Sequence, residues 1–182
     1  MRLSHRCHFF ACKAENSLAP VGNGIHFPAL VRSLRTEEVI MLGELLAESR
    51  GKRIVRRVLS TEPPTVEVSF EDSGHMLGVA TRGMGTYTSV IRADGSIHGH
   101  GQGLTTTEDG EGITWTGTGE GAFGPGGSVS YRGMLFYRTN SQKLARLNNA
   151  TAAFEYEVDG EGNTVAKAWE WKQGQSAKGK SA

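Results

Sequence analysis

Residues 94–133 read DGSIHGHGQGLTTTEDGEGITWTGTGEGAFGPGGSVSYRG. Within this stretch apolar or β-branched residues alternate with small or polar ones. The runs are separated by Asp94-Gly95, Asp109-Gly110 and Gly124-Pro125-Gly126-Gly127. Period-two alternation marks a strand with two different faces. Asp-Gly between two such runs is a hairpin signal, because a type I′ turn needs positive φ at both central residues. The stretch therefore predicts consecutive antiparallel strands joined by tight turns.

The pattern extends outward on both sides. Upstream, KRIVRRVLS (52–60) is β-branched and basic, and Pro63-Pro64 breaks it. In TVEVSFE (65–71), Val66, Val68 and Phe70 share one face, while Thr65, Glu67, Ser69 and Glu71 share the other. LGVATRGMGTYTSVIR (77–92) is one strand bent at Gly83 and Gly85, or two short ones. Downstream come SVSYRGMLFYRT (128–139), a crossover or short helix over 141–151, then FEYEV (154–158) and NTVAKAWEWK (163–172). The expected fold is all-β: an antiparallel up-and-down β-barrel of about eight strands, since closure removes the edges of a long meander. One short N-terminal helix is expected over 36–50. Thr36 offers a hydroxyl cap, and Val39, Ile40, Leu42, Leu45 and Leu46 recur at helical spacing before Gly51. Residues 36–172 form the single barrel domain. Residues 1–35 read as an N-terminal extension and 173–182 as a tail, both without sustained periodicity and expected to be disordered.

The order DGSIHGHGQG…GITWTGTGEGAFGPGGSVSYRG resembles the glycine-rich central strands of allene oxide cyclase and dirigent-type barrels. The segment from MLGELLAE to FEYEVDGEGNTVAKAWEWK resembles a family of uncharacterised prokaryotic proteins. The first resemblance implies a barrel and brings no catalytic residue onto a position of this chain. The second implies no activity.

Composition narrows the partners. The 182 residues carry 20 basic and 19 acidic side chains, a net charge of +1. That gives no electrostatic case for nucleic acid or an anionic membrane, and no apolar run reaches the roughly 18 residues of a membrane span. The default is a soluble cytoplasmic protein. Cys7 and Cys12, with His5 and His8, have the residue types of a zinc site but stand alone in the extension. The acid-poor start is shared by transit peptides and by a mis-assigned start codon, with Met41 an alternative beginning.

Register decides where a function can sit. With two-residue turns at Asp94-Gly95 and Asp109-Gly110, and a four-residue loop at GPGG, Ile91 faces His98, Ser89 faces His100 and Tyr87 faces Gln102. His100 then faces Gly119, Leu104 faces Trp115, and Trp115 faces Phe136. The resulting face combines apolar Trp115, Met134 and Phe136 with polar His98, His100, Gln102 and Arg132, and Tyr87 lies on the seam. An apolar body with a few convergent polar groups is the lining of a small-molecule site. A one-residue slip, such as a three-residue loop with a bulge, exchanges the faces and lets Tyr131 and Leu135 fill the barrel over Gly99, Gly101 and Gly103.

The chemical motifs are sparse. His98-Gly99-His100 directs two imidazoles the same way, but no carboxylate shares the expected face, so no metal site is assigned. There is no G-x-S-x-G, and the glycines of GTGEGAFG lack the lysine of a phosphate loop. No cofactor is implied. The expected function is binding of a small, partly apolar ligand inside the barrel. A cyclase- or isomerase-type enzyme using the same lining and an oligomeric scaffold are the alternatives. Trp169 and Trp171 share a face with Lys167 and make a homo-oligomer contact the expected partner surface.

Overall fold

The computed structural model describes residues 42–172. Eight antiparallel strands succeed one another in chain order round a closed barrel. They are β1 Leu42–Thr61, β2 Pro64–Met76, β3 Val79–Ile91, β4 Ile97–Thr107, β5 Gly112–Phe123, β6 Val129–Thr139, β7 Thr151–Val158 and β8 Asn163–Trp171. β1 completes the circle by pairing with both β2 and β8. The expected extension over 1–35, with Cys7 and Cys12, and the expected tail over 173–182 lie outside the described residues. Among the described residues no helix is long and apolar enough to cross a membrane.

The helix expected over 36–50 does not form across its described part: residues 42–50 belong to β1. The cause is visible in the pairing with β8. The register shifts between Leu42 and Leu45 and again between Leu45 and Ala47. Extra residues at such irregularities break the two-residue alternation, so the spacing of Leu42, Leu45 and Leu46 imitates a helical face. Leu46 is 1 % exposed inside the barrel, and this burial together with two hydrogen-bonded neighbours overrides local helix propensity.

The three central hairpins also differ from expectation, each by one residue. Val90 pairs with His98, His98 with Glu120, and Glu120 with Arg132. Asp94-Gly95 is not a two-residue turn. The Gly95 N–H donates to the Arg92 carbonyl at 2.9 Å and the Arg92 N–H to the Ser96 carbonyl at 2.9 Å, closing a three-residue loop. Only Gly95 takes positive φ, at 84°. Gly110, with φ 81°, closes the β4–β5 loop in the same way. These are type I turns ending in a left-handed residue, the common three-residue hairpin. The β5–β6 loop closes with the Gly124 N–H on the Ser128 carbonyl at 2.9 Å, again around three residues. The β7–β8 hairpin has the expected register, with Glu155 opposite Lys167 and Phe154 opposite Ala168.

Both ends of the barrel are packed from within. The lower end, where β1 begins, is filled by the β6–β7 connection, whose 3-10 turn Ala145–Asn149 folds inward. Leu144 and Leu147, both 0 % exposed, join Leu46, Met76, Ile113 and Tyr137 in one buried cluster. Val68, Phe70, Tyr87, Ile97, Val129 and Tyr131 form a second cluster in the upper half. Trp115 and Phe154 pack against both.

β1 rises beyond β8. Its ladder to β8 ends at Lys52, and the Arg53 N–H makes one further bond, to the Gly162 carbonyl at 2.9 Å. Residues 54–61 pair with β2 alone and expose Ile54, Val55, Val58 and Leu59.

Candidate functional site

The slipped loops reverse the expected faces. Gly99, Gly101, Gly103, Gly117 and Gly119 turn inward, and the residues between them turn out. Tyr87 and Trp115 therefore lie inside the barrel as expected. The other six residues of the expected lining do not. His98, His100, Gln102, Arg132, Met134 and Phe136 stand on the outward rows, His100 also bordering the interior cavity, because each loop holds one residue more or fewer in the turn than the expected register requires.

Outside, His98 has an electrostatic setting. One lateral row across six neighbouring strands reads Glu48, Lys167, Glu155, Arg132, Glu120, His98. His98 Nδ1 lies 2.9 Å from Glu120 Oε1, and Arg92 bonds the same carboxylate through two guanidinium nitrogens. Arg92 foremost, then His98, holds the Glu120 carboxyl down to about 2. Arg132 bridges Glu155 at 3.2 Å and Glu157 at 3.7 Å. This row is a solvated ladder of alternating charge in which Glu120–His98 and Arg132–Glu155 are in contact, and such exposed pairs add little stability. Among the described residues no three His, Cys, Asp or Glu side chains gather as a metal ion would need.

Inside, a cavity of about 130 Å³ is lined from both clusters. Its walls are aromatic: Phe70, Tyr87, Trp115, Tyr131, Tyr137, Phe154 and Tyr156. Phe70 and Trp115 sit 6.2 Å apart between ring centroids, and Tyr87 and Tyr156 meet edge-on at 5.8 Å. Gly103 makes room for this arrangement. A Cβ there would lie 2.4 Å from the Trp115 ring, so the indole lies flat across β4.

Three polar groups enter the aromatic space. The Asp72 carboxylate is held by the Ser49 hydroxyl, which donates to Oδ2 at 2.8 Å. Arg53 Nε donates to the Tyr87 hydroxyl at 2.8 Å. The Tyr131 hydroxyl shares a 2.7 Å hydrogen bond with the Ser89 hydroxyl. The Tyr156 hydroxyl is buried with no hydrogen-bond partner among the described residues. Burial pushes the phenols of Tyr87 (up to about 12), Tyr131, Tyr137 and Tyr156 above their usual range. They therefore remain neutral hydrogen-bonding groups at ordinary pH.

Burial also raises the Asp72 carboxyl above its ordinary 3.8, against the opposing Ser49 hydrogen bond. Below that ordinary value both folded and unfolded chains hold the proton. As pH rises the unfolded chain ionises first, so stability falls until the folded carboxyl has ionised too. Asp72→Asn, which keeps an oxygen for Ser49, is expected to melt higher than wild type at pH 7. The two should converge near pH 3. Parallel thermal melts across pH 3–8 check this, and an unchanged gap at all pH values would refute it.

Asp72, Ser49 and Arg53 were not among the expected site residues. The alternation of Val66, Val68 and Phe70 already pointed to Asp72, had it been followed one step beyond Glu71.

No family model matches the chain. No curated protein matches it in sequence. Solved structures do share its architecture. A β-barrel-like protein of Acinetobacter baumannii AYE is 15 % identical with a TM-score of 0.61, over 71 % of this chain and 94 % of that one. A protein of unknown function from Clostridium acetobutylicum ATCC 824 is 12 % identical with a TM-score of 0.62, over 70 % and 96 %. An enzyme from Penicillium herquei is 17 % identical with a TM-score of 0.51, over 70 % and 92 %. At these identities the likeness concerns the barrel alone.

Proposed function

We propose that the chain binds a small, partly apolar molecule inside the barrel. The observation that carries this reading is the cavity of about 130 Å³ between the two core clusters, with aromatic walls and the Asp72 carboxylate among them. Apolar cavities of roughly 150 Å³ accept guests the size of benzene, so the ligand is of about one ring. The polar groups give it an orientation. Ala166 lines the same space. Monocyclic probes such as phenol are expected to change Trp115 fluorescence when Trp169 and Trp171 are replaced by phenylalanine. Filling the space with Ala166→Phe should weaken that binding at least about tenfold while the barrel remains folded. Saturable binding that survives Ala166→Phe would put the ligand elsewhere.

The enzyme alternative, of cyclase or isomerase type, draws support from a neighbour named an enzyme. It would use inward groups such as Asp72, since His98 and His100 face outward.

The partner favoured by the outer surface is a second copy of the chain. Leu45, Trp169, Ala153 and Met134 form one lateral row directly below the charged ladder. Leu42, Phe136 and Trp171 lie beside it, and Trp171 is 51 % exposed. The ladder above alternates in sign through Glu48, Lys167, Glu155 and Arg132. At the lower end Arg146 bridges Glu44 at 2.7 Å and Glu170 at 2.6 Å. An apolar centre with a rim of both signs can meet its own copy across a two-fold axis. Sedimentation equilibrium is expected to show a dimer that Leu45→Glu with Trp171→Glu dissociates. A wild-type chain monomeric at 100 μM would contradict it.

A further inference from the structure

We propose that the interior site selects an organic cation: a protonated amine carried on a body of about one ring. This rests on the interior-binding reading above and names its ligand class.

Asp72 is the inward charged side chain of the cavity lining. Glu48, His75, His100 and Lys167, which also border the space, belong to the outward rows of β1, β2, β4 and β8. The Asp72 carboxylate makes no ion pair among the described residues, and its one side-chain hydrogen bond there is from Ser49. Its second oxygen projects across β3, where a Cβ on Gly83 would lie 2.4 Å from Oδ1. Glycine at this position leaves room for Oδ1, with the buried Thr105 hydroxyl beside the same space.

A carboxylate in an aromatic interior without a cation is costly, and the cost is relieved by a proton or by a charge of opposite sign. Arg53 does not supply it. Its Nε is bonded to the Tyr87 hydroxyl and its guanidinium carbon lies 5.8 Å from the Tyr87 ring centroid, in the upper cluster. Burial raises the affinity of Asp72 for a proton. An ammonium brings the same compensation together with hydrogen-bond donors for Oδ1. The rings of Phe70, Trp115 and Tyr137 lie in the same lining, and aromatic faces attract cations through their quadrupoles. An anion would meet Asp72 with its own sign, and a neutral ligand would leave the carboxylate uncompensated.

The test is calorimetric titration of the full chain at pH 7 with benzylamine, benzyl alcohol and benzoate, which share one ring. The expected order is benzylamine tightest, benzyl alcohol weaker by about tenfold or more, and no binding of benzoate. Asp72→Asn should abolish the preference for the amine over the alcohol. If the alcohol equals or exceeds the amine in the wild type, the cation assignment is wrong and interior binding stands. If none of the three binds, both fall. If the amine preference persists in Asp72→Asn, the charge that selects it is not Asp72. The wild-type series is decisive even if the variant does not fold.

Discussion

Gly133→Ala is expected to destabilise the fold by about 3 kcal/mol or more, although it adds one methyl group. Gly133 lies in β6 opposite Gly119 of β5. A Cβ at Gly133 would stand 2.0 Å from the Thr118 carbonyl oxygen, 2.5 Å from Gly119 Cα and 2.9 Å from the Phe154 ring. Two of these obstacles are backbone in a hydrogen-bonded ladder, which cannot turn aside as the end of a side chain can. Relief requires β5 and β6 to separate, and Phe154 to shift as well. Overpacking costs roughly 1–3 kcal/mol and sometimes more, and an obstacle made of backbone belongs at or above the top of that range. The whole fold rests on about 5–15 kcal/mol. The control is Gly112→Ala, where an added Cβ meets nothing within 4 Å. That substitution should change stability by less than about 0.5 kcal/mol. Urea unfolding of the two variants in parallel decides the matter. Equal midpoints would mean that the β5–β6 approach is not tight in solution.

Leu147→Ala should cost about 2–5 kcal/mol, the range for truncating a fully buried leucine. For a domain of this size that corresponds to a fall in Tm of roughly 3–5 °C per kcal/mol. Leu147 is 0 % exposed and comes from the 3-10 turn that fills the lower end. The turn is fastened to β6 through Asn148. Its Oδ1 accepts from the Thr139 N–H at 2.8 Å and its Nδ2 donates to the Thr139 carbonyl at 2.9 Å. The backbone around the turn is therefore pinned and poorly placed to collapse into the space a truncation opens, which sets the cost toward the upper part of the range. Differential scanning calorimetry measures it. A loss below about 1 kcal/mol would show that the lower end repacks freely.

The strands were legible because their chemistry is local. Val66, Val68 and Phe70 alternate as a half-buried strand should, and all three face inward. The last hairpin was legible too, because the loop that begins at Asp159 has the register its residues imply. The inner and outer faces were not legible. Asp94-Gly95 and Asp109-Gly110 suit two-residue and three-residue loops about equally, since in both a glycine takes the left-handed position. One residue of difference sends His98 and His100 outward and Tyr131 inward. The start of β1 was hidden for a related reason, since register shifts disguise a strand as a helix. Asp72 was hidden by its company: an acid following Glu71 reads as the end of a strand, while its parity places it inside.

The overhanging part of β1 has a consequence for solubility. Below Lys52 β1 is paired on both sides, with β2 and with β8, and offers no edge to another chain. Above it, residues 54–61 keep one side of their backbone unpaired and carry four exposed aliphatic side chains. Such an edge is a natural starting point for sheet-by-sheet polymerisation. Arg56 and Arg57 interrupt the aliphatic run, and register shifts on either side, between Arg53 and Val55 and between Val58 and Ser60, keep the edge from lying flat. Charge and bulge are the usual guards of an open edge. The basic residues of KRIVRRVLS thus act as gatekeepers against aggregation, in a chain whose net charge of +1 gives it little other protection.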